Sequence, residues 1–471
     1  MDNPEWLSVL PPLVAILTAI WSKQVFLSLF AGIWLGWTIL NGGNPLGGLR
    51  DSVQALIDVF QDEGNTRVVA FSALVGSLIA FTQRSGGVSG FIHWVTERGY
   101  VQTRRGAQLL AWFLGLGIFV ESSITCLVTG AIARPLFDRL KLSREKLAYI
   151  CDGTSAPVCI LLPMNGWGAF ILGVLVAQNV EQPLAALVGS ILFNFYALLA
   201  VAYVLFIVIT GKDWGPMARA ERRARETGKV LRDGAEPLVS TEVLSLAPKE
   251  GISPRARNML VPLSVMLAMM PVGLWITGNG NLMRGSGSTA VLWAVMTATF
   301  LAAVLYRIQG LFSVGEIMDL LFKGIGGLMP LALLMVLAFA IGATCGELGT
   351  GPYVASLAQD VLSPALVPLI LFWISGAIAF STGTSWGTFA IMLPIGIPMV
   401  QVIGTHLNLT IGAVLAGGIF GDHCSPISDT TIISSMAAGS DHIDHVNTQL
   451  PYALLIAAVS SVLFLVAGYS L

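Results

Sequence analysis

The sequence predicts an all-α polytopic membrane protein. It reads as two inverted repeats, each of about five transmembrane helices plus a re-entrant hairpin, with a broken helix in each repeat. Three observations predict this. The 471 residues are 55% hydrophobic and only 11% charged, where a soluble domain carries about 25% charged residues. Many apolar stretches reach the roughly 20 residues needed to cross a bilayer. A polar interruption rich in Asp, Ser and Pro recurs at matching places in the two halves.

The elements follow in order. Apolar spans cover Leu7–Ile20, Gln24–Leu40, Val68–Phe81, Leu147–Gln178, Leu184–Thr210, Met259–Thr277, Thr289–Tyr306, Ile325–Cys345, Leu409–Met436 and Leu450–Tyr469. Ala107–Phe137 and Pro364–Ile403 are too long for one straight crossing, and each has a polar middle, "ESSITC" and "STGTSWG". Basic residues cluster at Arg98–Arg105, Arg134–Lys146 and Lys212–Arg257. Cytoplasmic loops attract Lys and Arg. With all three clusters on the cytoplasmic side, Ala107–Phe137 starts and ends on one side and is a hairpin with Glu121 and Ser122 at its tip. Residues 1–210 then form the first repeat, 211–257 a basic cytoplasmic loop, and 258–471 the second repeat. An odd number of crossings per repeat inverts the second relative to the first. The basic stretch "RAERRARETGKVLR" (Arg219–Arg232) reads as a solvated helix or loop, and "DHIDHV" (Asp441–Val446) as a polar turn before the last span.

Net charge of −2 argues against a nucleic-acid partner. The five cysteines form no CxxC pair, so no disulfide framework is expected. The N-terminus "MDNPEW" has no basic region of the signal-peptide kind. No P-loop stretch occurs, and no resident cofactor is expected.

The two interruptions are "ICDGTSAPVCILLP" (Ile150–Pro163) and "IFGDHCSPISDTTI" (Ile419–Ile432), in which Asp152 answers Asp422 and Ser155 answers Ser425. A charge at bilayer depth faces a cavity or a partner. Irregular backbone there is tolerated only where it is buried in protein or lines water. Proline removes backbone donors and frees carbonyls. Such a break offers carbonyls, hydroxyls and one carboxylate to a small cation. The expected site therefore includes Asp152, Thr154, Ser155, Asp422, Ser425 and Asp429. Glu121 and Ser122 join from the first hairpin tip, and Thr382, Thr384 and Ser385 from the second. Asn165 and Thr382–Ser385 are candidates for an organic substrate. "GTSWG" (Gly383–Gly387) also matches the nucleophile elbow of serine hydrolases by letters, but that motif needs a strand before it and a helix after it.

"ARPLFDRLKLSREKLAYICDGTSAPVCILLP" (Ala133–Pro163), "GDHCSPISDTTIISS" and "DHVNTQLPYAL" closely resemble NhaC-type Na+/H+ antiporters of the ion transporter superfamily. The resemblance implies exchange of Na+ for H+, or in relatives exchange of organic acids or drugs. It also implies a homodimer with a scaffold and a moving transport domain. Asp152, Ser155, Asp422, Ser425 and Asp429 inherit the ion-site role, with Asp152 and Asp422 as the Na+ candidates. Where many relatives read Phe-Ile-Asp-Asp-Tyr-Phe-Asn-Ser-Leu, this chain has Phe119-Val120-Glu121-Ser122-Ser123-Ile124-Thr125-Cys126-Leu127; one Glu replaces an acidic pair. The leading expectation is a Na+/H+ antiporter. Its closest rival is an ion-coupled transporter of a carboxylate or amino acid, and a remote one is a membrane-embedded hydrolase built on Ser385.

Overall fold

The computed structural model describes residues 5–471 apart from Lys23, 97–102, 120–121, 238–248, Glu250, 282–284, 351–352, 354–362 and Ile427. Among the described residues the secondary structure is helical, with no strand. Among the described residues, seven helices are long and apolar enough to cross a membrane, or eight if the pair Arg144–Leu161 and Gly166–Ala177, bent by 41°, is one broken span.

The helices sort into two packed groups. Leu10–Ser22, Val25–Leu40, Glu63–Arg84, Arg257–Thr277, Gly287–Ile308 and Val314–Glu347 form one. Its centre is the close crossing of Glu63–Arg84 with Val314–Glu347. There a Cβ on Gly76 would stand 2.1 Å from the Gly324 carbonyl oxygen, so two glycines let the backbones meet. The second group holds both hairpins, both interrupted segments, Phe195–Thr210 and His442–Ser470.

The hairpins form as two helices each. Arg104–Gly117 pairs with Ser122–Arg139, and Val367–Thr382 pairs with Ser385–Ile403. In the first, Arg104 Nη1 donates to the carbonyls of Leu140 (3.1 Å) and Lys141 (2.6 Å), so its two ends lie together. In the second, Gly383 turns the chain with φ of +69°, a value at which glycine has no Cβ to clash.

Three sequence-based expectations change. Leu184–Thr210 is two helices, Pro183–Ile191 and Phe195–Thr210; Asn194 caps the second by accepting from the Ala197 amide. The span expected over Ile325–Cys345 begins earlier, as part of the 34-residue helix Val314–Glu347. Its start is fixed by a capping box between Ser313 and Glu316. Third, the Arg219–Arg232 stretch is not merely solvated. Helix Gly215–Thr227 buries Met217, Ala220, Glu221 and Ala224. Glu221 pairs with Arg104 (2.7 Å), Arg223 with Glu145 (2.9 Å), and Arg232 with Asp444 (2.9 Å). Lys146 pairs with Asp213. One or more described residues of each basic cluster (Arg104, Lys146, Arg223 and Arg232) thus meet acids.

Candidate ion site at two helix breaks

Each interrupted segment breaks for a local reason. Helix Arg144–Gly153 ends where the Thr154 hydroxyl donates to the Ile150 carbonyl (2.6 Å) and the Ser155 hydroxyl donates to the Asp152 carbonyl (2.9 Å). Pro157 then sits in the first turn of Ala156–Leu161, where its missing N–H does no harm. Asn165 reopens the helix: its Oδ1 accepts from the Trp167 and Gly168 amides, and its Nδ2 donates to the Phe119 and Cys159 carbonyls. In the second segment, helix Leu407–Cys424 ends at Ser425 and Pro426, and the Ser428 hydroxyl caps Asp429–Ala438. Side-chain hydroxyls thus take up backbone groups that the breaks would leave bare.

The two segments run antiparallel. Arg144 Nη1, at the start of the first, donates to the carbonyls of Ala438 and Gly439 at the end of the second. At the opposite face, Asn179 and Gln182 share a cavity of about 400 Å³ with Leu407 and Asn408. Both aspartates therefore lie in the last turn of a helix, deep in the protein, and both are fully buried.

Their surroundings differ. Asp422 meets hydroxyls: Oδ1 accepts from Ser428 (2.6 Å), and Oδ2 accepts from Ser385 (3.0 Å) and Thr430 (3.1 Å). Asp152 Oδ2 accepts from Gln449 Nε2 (2.6 Å), with His445 Nε2 at 3.4 Å. Asp152 Oδ1 has no hydrogen-bond partner among the described residues. Thr431 Oγ1 stands 3.3 Å from both Asp152 Oδ2 and the Asp422 carbonyl, and shares one proton between them. His423 Nε2 lies 3.1 Å from the Asp152 carbonyl, which can only accept. That nitrogen therefore carries a proton, and Nδ1 lies 3.3 Å from the Tyr196 hydroxyl. Among the described residues, neither aspartate is ion-paired with Lys or Arg.

Of the sequence-predicted residues, Asp152, Asp422 and Ser385 come together here. Ser425 donates to the Phe380 carbonyl (2.7 Å) and ties the second break to its hairpin. Thr154 and Ser155 serve the first break's backbone. Thr382 donates to Ile378 of its own helix, and Thr384 precedes Ser385 as the residue before the helix starts. Asn165 is engaged on all sides as a cap. Ser122 is buried at the first position of its helix. Asp429 opens helix Asp429–Ala438. Glu121 lies outside the described residues. Ser385 sits in a helix–turn–helix, between Val367–Thr382 and Ser385–Ile403, so the strand that a nucleophile elbow requires is replaced by a helix.

Sequence reasoning missed Ser428, Thr430, Thr431, His423, His445 and Gln449. The "DHIDHV" stretch is not a turn. Asp441 accepts from the Ile443 and Asp444 amides, so the last helix begins at His442 and carries His445 and Gln449 inward. The spacing of His442, His445, Gln449 and Tyr452 along one helix face was the available signal.

A family model described as the Na+/H+ antiporter family matches residues 166–469. The chain belongs to the Na+/H+ antiporter family. It is a multi-pass membrane protein of a family of transporters. An uncharacterized protein of Haemophilus influenzae is 34% identical over 98% of this chain and 91% of its own length. An arginine/ornithine antiporter of Halobacterium salinarum is 27% identical over 44% of this chain and 41% of its own length. The YdaH transporter of Alcanivorax borkumensis shares the fold, with a TM-score of 0.58 at 16% identity over 90% of this chain and 89% of that one.

Proposed function

We propose that this member of the family is a secondary active transporter that exchanges Na+ for H+ by alternating access, with Asp422 and Asp152 as its cation-binding carboxylates. One observation carries the reading. Two buried carboxylates sit at the C-terminal ends of antiparallel half-helices and have no Lys or Arg ion-paired with them among the described residues. A helix C-terminus is the negative end of its dipole, so it repels a carboxylate and attracts a cation. A buried carboxylate must be neutralised by a cation or by a proton. Na+ and H+ then compete for the same oxygens, and that competition is exchange.

The donor set around Asp422 favours a small hard cation. Its neighbours are the hydroxyl oxygens of Ser385, Ser428 and Thr430, and oxygen ligands suit hard ions. The antiparallel course of the two broken segments, together with the same order of hairpin, broken segment and final helix in each half, supports inverted repeats with binding between them. The arginine/ornithine antiporter among the relatives gives the organic-substrate reading its support. Of the residues that reading recruits, Asn165 is engaged as a helix cap, Thr382 donates to Ile378 and Ser385 donates to Asp422.

The test is flux into liposomes that hold the purified protein and an interior pH dye. Inward gradients of Na+, Li+, K+, arginine and malate are applied in turn. The expected result is proton movement driven by Na+ and lost in Asp422→Asn. Proton movement driven only by arginine or malate would replace this reading with the organic one.

A further inference from the structure

Gln449 lies on the last helix, His442–Ser470, with 1% of its surface exposed. Its Nε2 donates to Asp152 Oδ2 at 2.6 Å and to the His423 carbonyl at 2.8 Å. Both partners only accept, so the orientation of the amide is fixed. His423 is the chain neighbour of Asp422. Its ring returns the contact, with Nε2 at 3.1 Å from the Asp152 carbonyl. Besides Thr431, which bridges Asp152 Oδ2 and the Asp422 carbonyl, two further links join the breaks. One link runs from the His423 ring to Asp152 backbone. The other runs from the Asp152 carboxylate, through Gln449, to His423 backbone.

The Gln449 link begins at a carboxylate oxygen, as the longer Thr431 contact does (3.3 Å), and at 2.6 Å it is the shorter of the two. A ligand that binds Asp152 acts on the same carboxylate that Gln449 holds through Oδ2, and the other N–H of the same amide holds the backbone beside Asp422. The amide oxygen Oε1 is buried without a partner among the described residues, as is Asp152 Oδ1. A side chain present for packing alone gains nothing from a buried unpaired oxygen.

We propose that Gln449 is the positioning residue that couples the two carboxylates, so that what binds at Asp152 changes the geometry of the hydroxyl-lined seat at Asp422. The proposal rests on the exchange reading above. It assigns Gln449 to tight coupling, in which a fixed number of protons moves per Na+, and not to holding the ion itself.

The test uses the full-length protein in liposomes, with radioactive Na+ uptake and interior pH followed on the same preparation. Na+ binding is measured on the same protein in detergent. Gln449→Met keeps the length of the side chain and removes the amide. It is expected to bind Na+ within about threefold of wild type, while protons moved per Na+ fall about tenfold or more, which is a Na+ leak. Gln449→Asn keeps an amide on a shorter stem and is expected to fall between the two. It also serves if the Met variant does not fold. A Met or Asn variant with the wild-type ratio of protons to Na+ overturns the proposal. So does loss of Na+ binding and transport together in both variants, which marks a structural role. If wild type itself moves no protons with Na+, the exchange reading fails first and the proposal falls with it.

Discussion

Arg144 Nη1 lies 3.0 Å from the Ala438 carbonyl and 3.2 Å from that of Gly439. The first residue of one broken segment thus holds the last turn of the other. The same guanidinium pairs with Asp138 through Nε (2.6 Å) and Nη2 (2.8 Å), at the base of the first hairpin. A cation at a helix C-terminus is favourable, and a planar fork can serve a carboxylate and carbonyls at once.

Arg144→Met is therefore expected to destabilise the protein by about 1.5 to 3 kcal/mol, the range for lost hydrogen bonds to a charged group. Arg144→Lys should lose less, because it keeps the charge but not the fork. Thermal unfolding in detergent, followed by tryptophan fluorescence, measures both. An unchanged Tm in Arg144→Met would show that this contact between the segments is not stabilising.

The hydroxyl shell of Asp422 should set cation affinity. Ser385→Ala, Ser428→Ala and Thr430→Val each remove one hydroxyl oxygen. Each is expected to weaken apparent Na+ affinity about tenfold, or about 1.4 kcal/mol. Thr154→Val is the control, because its hydroxyl is engaged with the Ile150 carbonyl. Wild-type affinity in all three shell variants would remove the hydroxyls from the site. Ser385 should also remain unlabelled by a fluorophosphonate probe, since its hydroxyl donates to Asp422 and not to a histidine.

The elements that were legible in the sequence were those written as composition or as a break. Long apolar runs gave the spans, and Asp beside Gly, Ser and Pro gave the two breaks with Asp152 and Asp422. Three basic clusters gave a hairpin whose ends meet, as the Arg104 contacts to Leu140 and Lys141 show. What stayed hidden was contact across the chain. Gln449 stands 297 residues from Asp152, and nothing local marks an amide as its partner. Polar residues near a span end, such as His442 and His445, look like a loop until a cap such as Asp441 starts the helix one turn early. Asn165 is the opposite case: a polar side chain in an apolar region suggested a ligand contact, and its amide is used to restart a helix.

Close packing of the second hairpin depends on glycine. A Cβ on Gly421 would stand 2.1 Å from the Gly376 carbonyl oxygen, and one on Gly417 would stand 2.2 Å from that of Phe372. Gly421→Ala must push the hairpin arm Val367–Thr382 off the helix that carries Asp422. Overpacking of this kind costs about 1 to 3 kcal/mol, and the shift should also impair transport. Gly346→Ala is the contrast, since a Cβ there meets nothing within 4 Å and Gly346 lies inside helix Val314–Glu347. It should leave stability unchanged or raise it by up to about 1 kcal/mol. Equal Tm values for the two variants would contradict the packing argument.

Asp422→Asn and Asp152→Asn separate folding from function. Asn keeps the volume and one oxygen but carries neither the charge nor an exchangeable acid proton. Both variants are expected to insert, to fold, and to lose Na+-driven proton flux in liposomes. Stability should move the other way from that of an ordinary core mutant. A buried carboxylate without a counter-charge costs free energy, so in Na+-free buffer Asp422→Asn should unfold at or above the wild-type Tm. Sodium should then raise the Tm of wild type. A ligand that binds only the folded state at tenfold its Kd stabilises by about 1.4 kcal/mol. Asp422→Asn should show no such rise. If Asp422→Asn retains both the sodium-dependent rise in Tm and coupled proton flux, Asp422 does not hold the cation, and the hydroxyls around it have another purpose.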